Sequence, residues 1–330
     1  MKSNWISTKP NLLPDFIIGG AMKCGTTTLH AMLAQHPQIF IPKEEVHFFD
    51  IDNILQHSDF NFHHNKTWIY QTMDKNPPLV WEWYQEKFKG GEHLVKGEDS
   101  TTYLASRIAA KRISVQKKAI KILFLLRQPS LRAFSNYNHL LRTGRATHSF
   151  EDTLRFNPYQ VVNRSLYKEQ LENYYKYIPK ERIKVILFED LIQQPEATLQ
   201  DVCNFIGVDY KELPADVFTT HSNKGMAPQN RQWHIKKNRL LRNFGNIHYN
   251  NKLPFKGPMG KESNPFLARV INKIHSKINP LKPLKSSINA ESKEFLDNYF
   301  YEELKGIDEL VGKDILAQWF PQKAVVNLQE

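Results

Sequence analysis

The chain has 330 residues, 41% of them hydrophobic and 24% charged, and a formal net charge of +11. That is room for one large domain, or one domain with an appended subdomain, around a sizeable core. No apolar run reaches the ~18 residues of a membrane span, Met1–Pro14 lacks an apolar signal core, and Cys24 and Cys203 make neither a disulfide framework nor a zinc cluster; a cytoplasmic location is the expectation.

Phe16–Ile18 reads as a buried strand, Gly19–Gly25 as a glycine-rich turn, and the residues from Thr26 as a helix with Leu29, Met32 and Leu33 at helical spacing. A short strand bounded by prolines follows at Pro37–Pro42, then the polar and aromatic segment Lys43–Asp50. Residues 51–93, with Trp68, Trp81 and Trp83, read as helices and loops. Leu94–Glu98 predicts a strand and Ser100–Ser114 a helix. Ala119–Leu126 is almost continuously apolar, the mark of a central parallel strand. It leads into Arg127-Gln128-Pro129 and a helix over about Ser130–Arg142. A helix over about Leu166–Tyr177, a strand at Ile183–Phe188, and a helix carrying Leu199, Val202, Cys203 and Ile206 up to Gly207 complete the alternation.

Alternating strands and helices predict a P-loop-like α/β fold: a central parallel sheet with helices on both faces. Residues 14–210 form the expected nucleotide-binding core of a single domain spanning 1–330. Residues 219–290 are basic, rich in Asn and Pro, and predicted to be loops with short helices, serving as a lid. Ala290–Leu310 and Ile315–Phe320 close the chain as helical and apolar segments. Much of the positive charge lies in Lys224–Lys261 and Lys273–Lys285, which suits an acidic ligand or a solvated face. No aromatic-and-basic module of the nucleic-acid-binding kind is visible.

The strand–glycine turn–helix layout at 15–28 aims free backbone N–H groups at a phosphate. Lys23 adds a cation, and Thr26 and Thr27 add hydroxyls. Gly20 and Gly25 have Walker A spacing, but the lysine stands two residues before Gly25 and Thr26 follows it. Such a lysine suits a 5′-phosphate or its bridging oxygen better than the β/γ-phosphates of ATP. Ligands of parallel α/β sheets sit beyond the carboxyl ends of the strands. There Arg127 and, eight residues on, Ser135 make a second phosphate clamp. Two clamps point to a nucleotide phosphorylated at two positions.

These segments together resemble the family of sulfotransferases that use 3′-phosphoadenosine 5′-phosphosulfate (PAPS), in its bacterial and heparan-sulfate-type branch. Lys23-Cys24-Gly25-Thr26-Thr27 resembles the family's K-[ST]-G-T-[TS] loop for the 5′-phosphosulfate. Arg127–Tyr137 resembles its R-x-P-x-x-R-A-x-S-x-Y motif for the 3′-phosphate. Glu45–Asp50 resembles the E-V-H-F-F segment, and Phe188-Glu189-Asp190-Leu191 the [YF]-E-D-L segment. The resemblance covers most of 14–210 and 293–320. It implies a nucleotide site of Lys23, Cys24, Gly25, Thr26, Thr27, Arg127, Ser135 and Phe188, with no metal. It also implies Glu45 as the general base that takes the proton of an acceptor hydroxyl or amine. His47 is the rival base, and Asp50 and Asp99 join Glu45 and His47 on the acceptor side.

Three positions depart from the pattern. Cys24 replaces a hydroxyl residue. Asp99 stands where some members carry a lysine, and Thr101 where proline is usual. A carboxylate at 99 favours a cationic or neutral small metabolite as acceptor; the basic region favours a glycan or glycolipid. A P-loop kinase or NTPase and a non-catalytic nucleotide binder are the readings of another class.

Overall fold

The structure, a computed structural model, describes residues 3–219, 225–242, 253–256, 265–283 and 287–326. Lys224, Lys252, Lys261 and Lys285 of the basic region lie outside the described residues. Nine strands occur among the described residues: β1 (Phe16–Ile18), β2 (Ile39–Phe40), β3 (Phe62–His64), β4 (Thr67–Ile69), β5 (Val95–Asp99), β6 (Lys121–Leu126), β7 (Ile183–Leu187), β8 (Met226–Pro228) and β9 (Leu281–Pro283). Five form one parallel sheet in the order β2-β5-β1-β6-β7, flanked by helices. β3–β4 and β8–β9 are separate antiparallel pairs.

β6 is an interior strand, between β1 and β7, with Ile122–Leu126 fully buried, because both its faces are covered by helices. Ile18 pairs with Asp99 on one side and Leu123 on the other, and Leu126 pairs with Leu187. The shared register brings the carboxyl ends of these strands to one edge of the sheet. The glycine turn, the Ser100–Tyr103 segment, Arg127 and Phe188 therefore emerge side by side, where parallel sheets bind ligands.

Two helices differ from the sequence expectation for physical reasons. Only Ala109–Ser114 of the expected 100–114 helix is helical. Residues 100–103 hold another shape because their hydroxyls bond elsewhere. Ser100 Oγ donates to Glu98 and accepts from the His47 N–H, Thr101 Oγ1 donates to Glu45, and the Tyr103 hydroxyl donates to Glu98. Such side-chain bonds compete with the helix. The closing helix ends at Glu303 and a second begins at Ile307, with Gly306 at φ 85° between them. That left-handed geometry suits glycine and interrupts the helix. Within 219–290 the described residues include an 11-residue helix, Arg231–Leu241, and a 14-residue helix, Pro265–Ile278.

Candidate active site

β1 ends at the glycine turn, and the helix Thr26–Leu33 starts immediately after Gly25, which has φ 91°. A side chain there would also collide with Phe188, since a Cβ would lie 2.7 Å from the ring. Glycine is thus required twice over. The first N–H groups of the helix have no intrahelical carbonyl to bond, and with Lys23 they face the cleft. Cys24 turns the other way. Its thiol is buried beside the Tyr167 hydroxyl at 3.7 Å, and burial pushes its pKa up to about 11. It does not line the cleft, so the expected nucleotide contact can come only from its backbone.

Arg127 follows β6. Its guanidinium lies 4.8 Å from the centre of the Phe188 ring and donates to the Lys23 carbonyl at 3.5 Å, joining the two segments expected to hold phosphates. The turn is braced from behind. Glu189 accepts from the Gln128 N–H at 3.0 Å and from Trp319 Nε1 at 3.2 Å, and Asp297 accepts from Gln128 Nε2 at 2.7 Å and Ser130 Oγ at 2.6 Å. The C-terminal helix and Trp319 therefore hold the Arg127 loop in place. Ser135, on the helix Pro129–Arg142, lines the same cleft as Arg127.

Glu45 and His47 line the same cleft. Glu45 Oε2 lies 2.9 Å from His47 Nε2 and accepts from Thr101 Oγ1 at 2.9 Å. Behind them a hydrogen-bonded chain runs inward. His47 Nδ1 is 3.0 Å from Thr102 Oγ1, which is 3.3 Å from His57 Nε2, itself 2.7 Å from buried Asp50. His47 has φ 54°, a strained geometry for a non-glycine residue, held by its N–H bond to Ser100. Asp50 and Asp99 do not line the cleft, which corrects the expectation that both face the acceptor. The buried Asp50 orients His57, and the buried Asp99 pairs with His30 Nδ1 at 3.0 Å. Burial raises the Asp99 pKa to about 6 despite that hydrogen bond. Its carboxylate therefore no longer argues against an anionic acceptor.

These residues share one cleft of about 1940 Å³. Eight lysines and arginines line it against three carboxylates. Among them Arg142, Arg145, Arg164 and Lys237 were not singled out from the sequence, because no motif marks them and only the fold gathers them. Their field is visible in the titrating groups. Burial, then the charge of Arg142, lowers the Lys23 pKa against the pull of Glu45. Burial and the cations Lys23, Arg142 and Arg145 push His139 down to about 3. A bound anion would relieve this repulsion. Trp68 and Trp233 are exposed, and none of Trp68, Trp81, Trp83 and Trp233 lines the cleft; Trp81 instead packs on Phe48 at 4.7 Å.

The Glu45–His47 pair predicts a stability window. Burial opposes charge on Glu45, but the hydrogen bond and charge of His47 outweigh it and bring the pKa to about 2 from an ordinary 4.5. Burial likewise opposes charge on His47, and Glu45 outweighs it and raises that pKa above 6.5. The Glu45 contribution is present above pH 4.5 and lost as pH falls toward 2. The His47 contribution is complete below pH 6.5 and lost as pH rises through its raised value. Denaturant unfolding of wild type and His47→Gln should therefore differ most between these limits and converge at alkaline pH. A constant difference into alkaline pH would contradict the pairing.

Comparison with known proteins fits this geometry. A profile described as "Sulfotransferase family" matches residues 14–212. The chain is 30% identical over 208 residues to heparan sulfate glucosamine 3-O-sulfotransferase 5 of Homo sapiens, covering 59% of this chain and 54% of that protein. It is 27% identical over 240 residues to the human bifunctional heparan sulfate N-deacetylase/N-sulfotransferase 3, covering 64% of this chain and 24% of that protein. It thus spans about half the length, or less, of these curated relatives. Among solved structures, a sulfotransferase from Alicyclobacillus acidocaldarius is 25% identical with a TM-score of 0.60, covering 93% of this chain and 98% of that one. No helix among the described residues is long and apolar enough to cross a membrane. With the profile covering more than half of its residues, and the motifs that carry the likeness converging on one cleft, the chain belongs to the sulfotransferase family.

Proposed function

We propose that the protein moves a sulfuryl group from PAPS to a hydroxyl or amine of an anionic glycan. The observation that carries this reading is one cleft lined by Lys23, Gly25, Thr26, Thr27 and Arg127 together with Glu45 and His47. PAPS supplies an activated sulfuryl group on a nucleotide with two phosphate positions, and the donor set suits it. Lys23, the helix N-terminus and the Thr26 and Thr27 hydroxyls suit the 5′ group; Arg127 and Ser135 suit the 3′-phosphate.

In the transfer the bond from sulfur to the 5′-phosphate oxygen breaks as the bond to the acceptor oxygen or nitrogen forms. Glu45 accepts the proton that the acceptor gives up. Its low pKa keeps it ionised across the physiological range, with a weaker driving force for proton uptake than a base titrating near neutral pH. Lys23 and the helix N–H groups stabilise the charge left on the 5′-phosphate. His47, held by Thr102, orients Glu45.

Two observations favour a glycan over the small metabolite expected from sequence. The cleft is strongly cationic, and the Asp99 carboxylate is turned away from it. The heparan sulfate named in the relatives' descriptions points the same way. The two free, buried cysteines suit a reducing, cytoplasmic setting.

Calorimetry tests the nucleotide assignment. The product, 3′-phosphoadenosine 5′-phosphate (PAP), should bind at least about tenfold more tightly than 5′-AMP or ATP, because charge-assisted hydrogen bonds contribute about 1.5–3 kcal/mol each. Arg127→Ala should remove most of that preference. Equal affinity for PAP and 5′-AMP in the wild type would refute the second clamp, and tightest binding of ATP with Mg²⁺ would favour a kinase.

A further inference from the structure

The helix Pro265–Ile278 carries large apolar side chains that are exposed. Phe266 is 75% exposed, Leu267 42%, Ile274 57% and Ile278 61%. At 100° per residue, Leu267, Ile274 and Ile278 fall within an arc of about 40°. The side that meets the rest of the chain is a different one. It carries Asn272, which accepts from Lys237 Nζ at 3.4 Å, and His275, whose Nε2 lies 3.3 Å from His234 Nδ1. It also carries Asn279, just past the helix, which donates to the Asn230 carbonyl at 2.8 Å and accepts from the Asn230 N–H at 2.7 Å. That contact side lies roughly a quarter turn or more from the apolar stripe. On the stripe's other side stand Lys277 and Lys273, about 80° and 120° from Leu267, with Arg269 about 160° round, and the helix contains no Asp or Glu.

An exposed apolar stripe edged by a row of cations is the pattern of a helix that lies in the plane of a lipid surface. From it we infer that Pro265–Ile278 docks on an anionic bilayer, with the stripe in the acyl boundary and the cations at the headgroups. Charge selects this occupant. A second copy of the chain would face Lys273 and Lys277 with the same two cations, whereas anionic lipid complements them. The net charge of +11 adds long-range attraction of the same sign. Asn272 and Lys237 also line the cleft, so the docked helix is part of its rim. This docking does not depend on the proposed chemistry.

Vesicle co-sedimentation of the full chain tests it. The protein should pellet with phosphatidylcholine vesicles containing phosphatidylglycerol, much less with phosphatidylcholine alone, and less as salt rises. Ile274→Glu with Ile278→Glu should weaken binding by at least roughly tenfold, and Lys273→Glu with Lys277→Glu should weaken it on the anionic vesicles. Unchanged circular dichroism and unchanged PAP binding would show that both variants remain folded. Failure of the wild type to bind anionic vesicles would overturn the inference, as would equal binding by the folded Ile274→Glu, Ile278→Glu variant. A concentration-dependent dimer that Ile274→Glu abolishes, with no vesicle binding, would assign the stripe to a second copy instead.

Discussion

Glu45→Gln is expected to lower kcat by roughly 10²–10⁴, the usual worth of a positioned general base, and to leave PAP affinity nearly unchanged. Glutamine keeps the size of the side chain and can still meet Thr101, but it cannot take the acceptor's proton. The change leaves Lys23, Arg127 and the helix N-terminus in place, so the proposed nucleotide contacts should survive it. Its side chain is 39% exposed, against 15% for His47, which places the carboxylate nearer the open cleft. His47→Gln is the discriminating control. It should reduce turnover less, because it removes an orienting partner and leaves the carboxylate. If His47→Gln stops turnover while Glu45→Gln retains most of it, the base is His47.

Lys23→Ala should injure binding and turnover together. Lys23 sits in the glycine turn with φ 72°, its charge crowded by Arg142 and drawn by Glu45. Loss of a donor aimed at the departing phosphate should lower kcat by about 10²–10³. Loss of its charge-assisted bond should weaken PAP by about tenfold or more. Steady-state kinetics with calorimetry separates the two effects. A fall in kcat alone, with PAP affinity intact, would remove Lys23 from the nucleotide site.

The residues of the proposed nucleotide site could be picked out of the sequence because they are local. The turn at Gly19–Thr27 and the stretch from Arg127 to Ser135 are each contiguous, and the near-continuous apolar run of β6 announced a central parallel strand. The acceptor half was only partly legible. Glu45 and His47 stand in a short motif, but Thr102 and His57 join them through side-chain hydrogen bonds between separate segments. Asp50 and Asp99 carried the right chemistry for an acceptor site, yet their burial depends on how segments distant in sequence pack together, which no local pattern reports. Arg142, Arg145 and Arg164 reach the cleft from the helix Pro129–Arg142 and from loops, with nothing in their neighbours to mark them. The stripe of Pro265–Ile278 was present at helical spacing, and the surrounding Asn, Pro and Lys masked it as loop.

The central claim is sulfuryl transfer, and mass spectrometry of acceptors tests it most directly. The purified protein should be incubated with PAPS and EDTA against heparosan-type oligosaccharides and against a panel of small hydroxyl- and amine-bearing metabolites. The account predicts that an oligosaccharide gains the mass of one sulfuryl group for each PAP released, that EDTA does not prevent it, and that Glu45→Gln nearly abolishes it. Transfer to a small metabolite alone would overturn the glycan acceptor and keep the chemistry. PAPS left intact with every acceptor, by a folded protein that binds PAP no better than 5′-AMP, would contradict the account.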